Sequence, residues 1–211
     1  MVHALPGMGG DARMFPGVWK SLPEFLPHDW TPYRGERSIA DVARAVKELY
    51  GIRDGDSLVG ASLGGIVACE IARQCDIRHI FLVGSATRPD EIHRLLARIR
   101  PLADVAPFGL MRTLARGLPG ELMRMFSGSS PEFVRAMCRA VFDWPGFDGP
   151  GPRIYRIHGR RDVVITPPAA ADLFVDGGHL ISMTHAAECA EFVRSVLVAP
   201  AAQGTSRQNR P

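Results

Sequence analysis

Short apolar runs recur along the chain at residues 2–5, 57–59, 79–83, 153–157 and 173–175, and each gives way to a turn rich in glycine or aspartate. Runs of this length without strict alternation suit strands covered on both faces. Residues 30–33 supply a further short strand. Between the runs the period changes to that of helices. Ser38 caps one, with Asp41 as its capping-box partner, and Val42, Val46 and Leu49 give it an apolar face that ends at Gly51. Residues 63–73 run on as a second helix with no breaker after Gly65. Residues 13–25 read as a loosely helical connection interrupted by Pro16 and Pro23. Thr184 caps a closing helix whose buried side is Cys189, Phe192, Val193, Val196 and Leu197. Strands alternating with helices predict an α/β fold, a mostly parallel sheet of about six strands with helices on both faces.

That rhythm breaks over residues 88–151, where helix follows helix between prolines. Ser130 with Pro131 marks one clear helix start, running to about Phe142. A helical stretch between two strands of one sheet has no place in the sheet layers, so it is expected to form a cap. The expected organisation is therefore a core of residues 1–87 and 152–198, a cap of residues 88–151, and a disordered tail of residues 199–211.

Composition narrows the function classes. At 211 residues with 46% hydrophobic and 22% charged positions, the chain is an ordinary globular domain. A net charge of +3 does not argue for nucleic acid. Cys69, Cys75, Cys138 and Cys189 are scattered without a C-x-x-C pair, so neither a metal site nor a disulfide framework follows, and free thiols in a reducing cytoplasm are expected. No apolar run reaches membrane-spanning length. Oligomeric state leaves no trace in the sequence.

Gly60-Ala61-Ser62-Leu63-Gly64 fits G-x-S-x-G, a strained strand-to-helix turn that exposes a serine hydroxyl at a helix N-terminus. The small residues on either side let strand and helix approach closely, and the N–H of Leu63 is aimed where an oxyanion would develop. The turn Pro6-Gly7-Met8-Gly9-Gly10 after the first strand lacks the signature of a nucleotide loop; its free N–H groups suit the other half of an oxyanion hole. A serine needs a base, and the base needs a group to hold its tautomer. Ser62, Asp162 and His179 each follow a predicted strand, so one sheet edge gathers all three.

On these motifs the chain resembles the α/β-hydrolase superfamily, over about residues 2–198 apart from the cap. LPGMGGDARMF is similar to the family's oxyanion loop, VGASLGG to its nucleophile elbow, HGRRDVVITP to its acid segment and DGGHLISMTHAAECAEFV to its histidine segment. The resemblance implies Ser62 as nucleophile, His179 as base, Asp162 as orienting acid, and the N–H groups of Met8 and Leu63 as oxyanion donors. Two departures stand out: Pro6-Gly7 replaces the common His-Gly, and the family's first two strands are missing. Asp90, after the strand before the cap, is the alternative acid. His158 reads as structural beside Asp162, and His185 falls near the start of the last helix. Met111, Met123, Met125 and Met137 would pack within the cap, and its arginines would face water. The expected activity is a cytoplasmic serine hydrolase acting on a small-molecule carboxylic ester through an acyl-enzyme, with no cofactor and no metal. An acyl thioesterase, or a non-catalytic ligand-binding member of the same fold, is the alternative.

Overall fold

In a computed structural model, residues 1–92, 130–148 and 151–199 are described. Six strands form one sheet: β1 (Val2–Leu5), β2 (Phe25–Pro27), β3 (Ser57–Ala61), β4 (His79–Val83), β5 (Arg153–Gly159) and β6 (Leu173–Val175). Their order across the sheet is β2-β1-β3-β4-β5-β6, and every pairing is parallel. Among the described residues the helices are α1 (Ile39–Tyr50), α2 (Leu63–Ile71), α3 (Pro131–Asp143), α4 (Ile181–Thr184) and α5 (Ala186–Val198).

The apolar strands have no polar alternation because both faces of the sheet are covered. Leu58, Ile80 and Leu82 point to one side, into a core with α1, α2 and α3. Val59, Phe81 and Val83 point to the other, packing with Phe15, Trp19, Tyr155 and α5. Helix α2 is buried along its whole length, against the sheet on one side and α1 on the other. Its one charge there, Glu70, accepts from the Trp144 indole at 2.8 Å and pairs with Arg73 at 3.1 Å.

Three sequence expectations need correction. Residues 30–33 are not a strand; the sixth strand is Phe25–Pro27, with Val2 opposite Phe25 and Ala4 opposite Pro27. It is an edge strand, where proline's missing N–H costs nothing on the outer side. Only its neighbour β1 specifies it; the loosely helical connection before it takes the form of two 3-10 turns, Ala12–Met14 and Gly17–Ser21, parted at Pro16. Leu49 is 58% exposed; Ile39 and Ala43 join Val42 and Val46 on the buried face of α1 instead. Thr184 does not cap the closing helix: it ends α4, its hydroxyl donates back to the Leu180 carbonyl at 3.1 Å, and α5 begins only after His185. The Ser38–Asp41 capping box and the left-handed Gly51 at the end of α1 are as expected.

The chain leaves and rejoins the sheet at one place. The Phe147 N–H donates to the Thr87 carbonyl at 2.7 Å, and the Arg73 guanidinium reaches the Gly146 carbonyl at 2.7 Å. Met111, Met123 and Met125 lie outside the described residues, as do the arginines of residues 93–129 and all but the first residue of the expected tail; Met137 is fully buried.

Candidate active site

Ser62 sits between β3 and α2 with φ 50° and ψ −119°, a backbone conformation that costs a side-chain-bearing residue about 1–3 kcal/mol. Its neighbours show why the sequence tolerates this. A Cβ on Gly60 would stand 2.3 Å from the Gly65 Cα, and one on Gly64 would stand 2.2 Å from the Leu5 carbonyl oxygen. Only glycines let α2 start this close to β1 and β3. Two bonds from β4 and the loop after it brace the turn: the Ser62 N–H donates to the Val83 carbonyl at 3.1 Å, and the Ser85 hydroxyl donates to the Ser62 carbonyl at 2.6 Å. Ser85 belongs to no motif in the sequence; its only signal is its place just after the strand beside the elbow.

Ser62 Oγ lies 2.9 Å from His179 Nε2, and His179 Nδ1 lies 2.8 Å from Asp162 Oδ2. The Asp162 side chain is fully buried. Its Oδ1 accepts the N–H groups of Val164 at 2.8 Å and Ile165 at 3.0 Å. His158 Nε2 lies 3.4 Å from Oδ2 and 3.2 Å from the Ile165 carbonyl. Burial pushes the Asp162 carboxyl up, but hydrogen bonds from His158 and His179 outweigh it and hold the group well below the usual carboxylate range. An ionised Asp162 can only accept, so the proton of His179 must sit on Nδ1. Nε2 then offers its lone pair to the Ser62 hydroxyl, the tautomer that can take a proton from it.

Asp90 stands elsewhere, its carboxylate bound to the Arg88 guanidinium at 2.7 Å and 64% exposed. His158 is buried with its Nε2 between the Ile165 carbonyl and Asp162 Oδ2, and His185 Nδ1 meets the Thr184 hydroxyl. Leu63 opens α2, so its N–H has no partner within the helix. Gly7 lies directly over the serine: a Cβ on it would come within 3.3 Å of Ser62 Cβ, which brings the next residue, Met8, to the same rim. The Met8 sulfur meets the Cys138 thiol of α3 at 3.5 Å.

Cys69 and Cys189 are buried, and burial pushes both thiols up to about 12. Among the described residues, no three of His, Cys, Asp and Glu cluster as metal ligands would. No helix among them is long and apolar enough to cross a membrane.

A parallel sheet with a strained serine turn at its carboxyl edge, and a histidine and a carboxylate converging on that serine, define a hydrolase-type architecture. The chain belongs to the alpha/beta hydrolase family, whose family model matches residues 2–192. Solved structures agree on the fold. A hydrolase from Oleispira antarctica is 16% identical with a TM-score of 0.74, covering 94% of this chain and 91% of that one. An enol-lactonase from Burkholderia xenovorans LB400 is 16% identical with a TM-score of 0.72, covering 93% and 90%. A thermophilic esterase from Thermogutta terrifontis is 17% identical with a TM-score of 0.68, covering 93% and 88%. No curated protein sequence matches the chain significantly.

Proposed function

We propose that the protein is a serine hydrolase that cleaves a small-molecule carboxylic ester through an acyl-enzyme. The observation that carries this is the continuous hydrogen-bonded chain from Ser62 through His179 to the buried Asp162. As Ser62 Oγ attacks the ester carbonyl carbon, its proton passes to His179 Nε2, and the carbonyl electron pair moves onto oxygen. The N–H groups of Met8 and Leu63 receive that oxyanion. Collapse of the adduct breaks the bond to the alcohol oxygen, which leaves with the proton from Nε2. Water then repeats the sequence, releasing the acid and restoring the serine. Asp162 keeps its charge and stabilises the imidazolium at each stage.

A cap of residues 88–151 over this edge would select the acyl group. The juncture of Thr87 with Phe147, and the contact of Cys138 with Met8, support a cap that starts and ends beside the site. Esterase and lactonase neighbours of the same fold favour an oxyester, open or cyclic, over a thioester. Four free cysteines suit a reducing cytoplasm.

A fluorophosphonate probe should label the wild type at Ser62, and Ser62→Ala should abolish labelling. A panel of p-nitrophenyl esters of rising chain length, run beside a simple lactone, an acyl-CoA and an amide, should show oxyesters turned over fastest. Labelling that persists in Ser62→Ala, or preferred cleavage of acyl-CoA, would overturn the assignment.

A further inference from the structure

Residues 28–30, which run into the expected strand of residues 30–33 that does not form, have another use. The His28 N–H donates to the Ala4 carbonyl at 2.9 Å, and the Asp29 carboxylate accepts the Ala12 N–H at 2.9 Å. The Trp30 indole N–H donates to the Gly7 carbonyl at 2.9 Å. Each bond reaches β1 or the loop that follows it.

The Gly7 carbonyl and the Met8 N–H belong to one peptide unit. That unit is trans and planar, so its C=O and N–H point in opposite directions. Fixing the oxygen therefore fixes the direction of the N–H. The Gly7 oxygen accepts twice, from the Trp30 indole and from the Gly10 N–H at 3.0 Å within its own loop. Two donors on the oxygen also polarise the N–H on the other side of the same unit. The loop has few other restraints: Pro6 has no N–H, and the Gly7 N–H finds only the weakly accepting Met14 sulfur at 3.1 Å. The indole is itself held, its ring 5.2 Å from that of Phe133 on α3.

We propose that Trp30 is a positioning residue for the oxyanion site: by holding the Gly7 carbonyl it aims the Met8 N–H at the oxygen of the tetrahedral adduct. This rests on the proposed roles of Ser62 and Met8. Losing an oxyanion donor outright costs about 100- to 1,000-fold in kcat. A donor that is present but loosened should cost less, about ten- to hundredfold.

The test is steady-state kinetics of Trp30→Phe on the best p-nitrophenyl ester. Phenylalanine keeps the ring against Phe133 and removes the donor. The expected result is a kcat lowered about ten- to hundredfold with KM within about threefold, because the ground-state carbonyl carries little of the charge the Met8 N–H stabilises. Benzothienylalanine at position 30, which keeps the indole's shape and replaces N–H with sulfur, should reproduce the loss without altering the melting temperature. Phe133→Leu, which loosens the packing and keeps the donor, should lose less kcat than Trp30→Phe. Active wild type with Trp30→Phe or the benzothienyl variant within twofold of it overturns the positioning role and leaves the hydrolase assignment standing. Loss in Phe133→Leu equal to that in Trp30→Phe also overturns it, since packing alone would then explain both. Wild type that neither turns over esters nor takes a fluorophosphonate removes the hydrolase assignment, and the positioning role with it.

Discussion

Replacing Asp162 with asparagine alters little in shape and almost everything in proton placement. Asp162 Oδ1 accepts two backbone N–H groups, from Val164 and Ile165, so the amide oxygen of asparagine must take that site. Its NH2 then occupies the place of Oδ2, 2.8 Å from His179 Nδ1. A donor there forces Nδ1 to accept, which moves the imidazole proton to Nε2, facing the Ser62 hydroxyl. In that tautomer His179 cannot take the serine proton. His158 permits this, because its Nε2–H keeps the nearer Ile165 carbonyl as its acceptor when the NH2 takes the place of Oδ2. A triad held in the wrong tautomer loses about 10⁴ in kcat, about 5.5 kcal/mol of transition-state stabilisation. The fold should survive. Exchanging charge-assisted for neutral hydrogen bonds costs about 1–3 kcal/mol, a fall in Tm of about 3–10 °C for a chain of this size. The assay is kcat on a p-nitrophenyl ester beside a thermal melt, with Asp90→Asn as comparator. Asp90 is largely exposed and pairs with the Arg88 guanidinium at the surface, so that variant should stay within about twofold of wild type. A loss under tenfold in a folded Asp162→Asn, or a large loss in Asp90→Asn, would refute the reasoning.

Gly64→Ala should destabilise sharply, since the new methyl would stand 2.2 Å from the Leu5 carbonyl oxygen and 2.6 Å from its carbon, both backbone atoms that cannot yield. A cost of about 3 kcal/mol, read as a Tm lower by about 6–12 °C, is expected; Gly17→Ala, with open space at its Cβ, should melt with the wild type. Acid should weaken the fold through the pair His3–His28, whose Nδ1 and Nε2 meet at 2.8 Å and can share only one proton. Burial and the neighbouring His3 pull His28 down to about 4, against a weaker upward pull from Asp29, and burial lowers His3 despite Asp56. Both rings are therefore more easily protonated when unfolded, so stability is full above about pH 6.5 and declines as pH falls toward 4. Unfolding free energies from urea titrations at pH 7 and pH 5 should differ by about 1 kcal/mol, the roughly 2 kcal/mol of the full shift being reduced by solvent screening of the partly exposed ring, and His28→Gln should remove much of that difference; an unchanged difference in that variant would refute the assignment.

Features that one local segment specifies were legible in the chain. The elbow shows because its glycines answer to contacts that any β-turn-α unit must make, and Ser62, Asp162 and His179 show because each directly follows a strand. The capping box of α1 needs only Ser38 and Asp41. What stayed hidden depends on a partner far along the chain. Phe25-Leu26-Pro27 becomes a strand only because β1 lies beside it, while residues 30–33 carry Pro32 and turn the Trp30 indole to the Gly7 carbonyl. Leu49 has the right helical spacing for burial, but it lies on the last turn of α1 and is exposed. Thr184 offers a good capping side chain and spends it on the Leu180 carbonyl, one turn back in a helix the spacing did not announce.

The same distinction explains how the site is held. Each polar group in it is fixed by a neighbour, Asp162 from within its own loop and the others from distant parts of the chain. Ser85 holds the Ser62 carbonyl, His158 and the Val164–Ile165 amides hold Asp162, Asp162 holds His179, and Trp30 holds the Gly7–Met8 peptide. A loop left to its own bonds would wander by more than the few tenths of an ångström a reacting geometry tolerates. The acid loop is further tied to the start of the insertion, where Thr166 donates to the Glu91 carbonyl at 2.8 Å and Ile92 bridges Ile165. Glu91 in turn grips Arg156 of β5 through two bonds, at 2.8 and 2.9 Å. The first residues of the insertion thus share backbone with the support of Asp162, while α3 at its other end presses on Trp30 and Met8. The two ends of the insertion brace both the acid loop and the loop of Met8, so a proposed cap built between them would select substrate without moving either group.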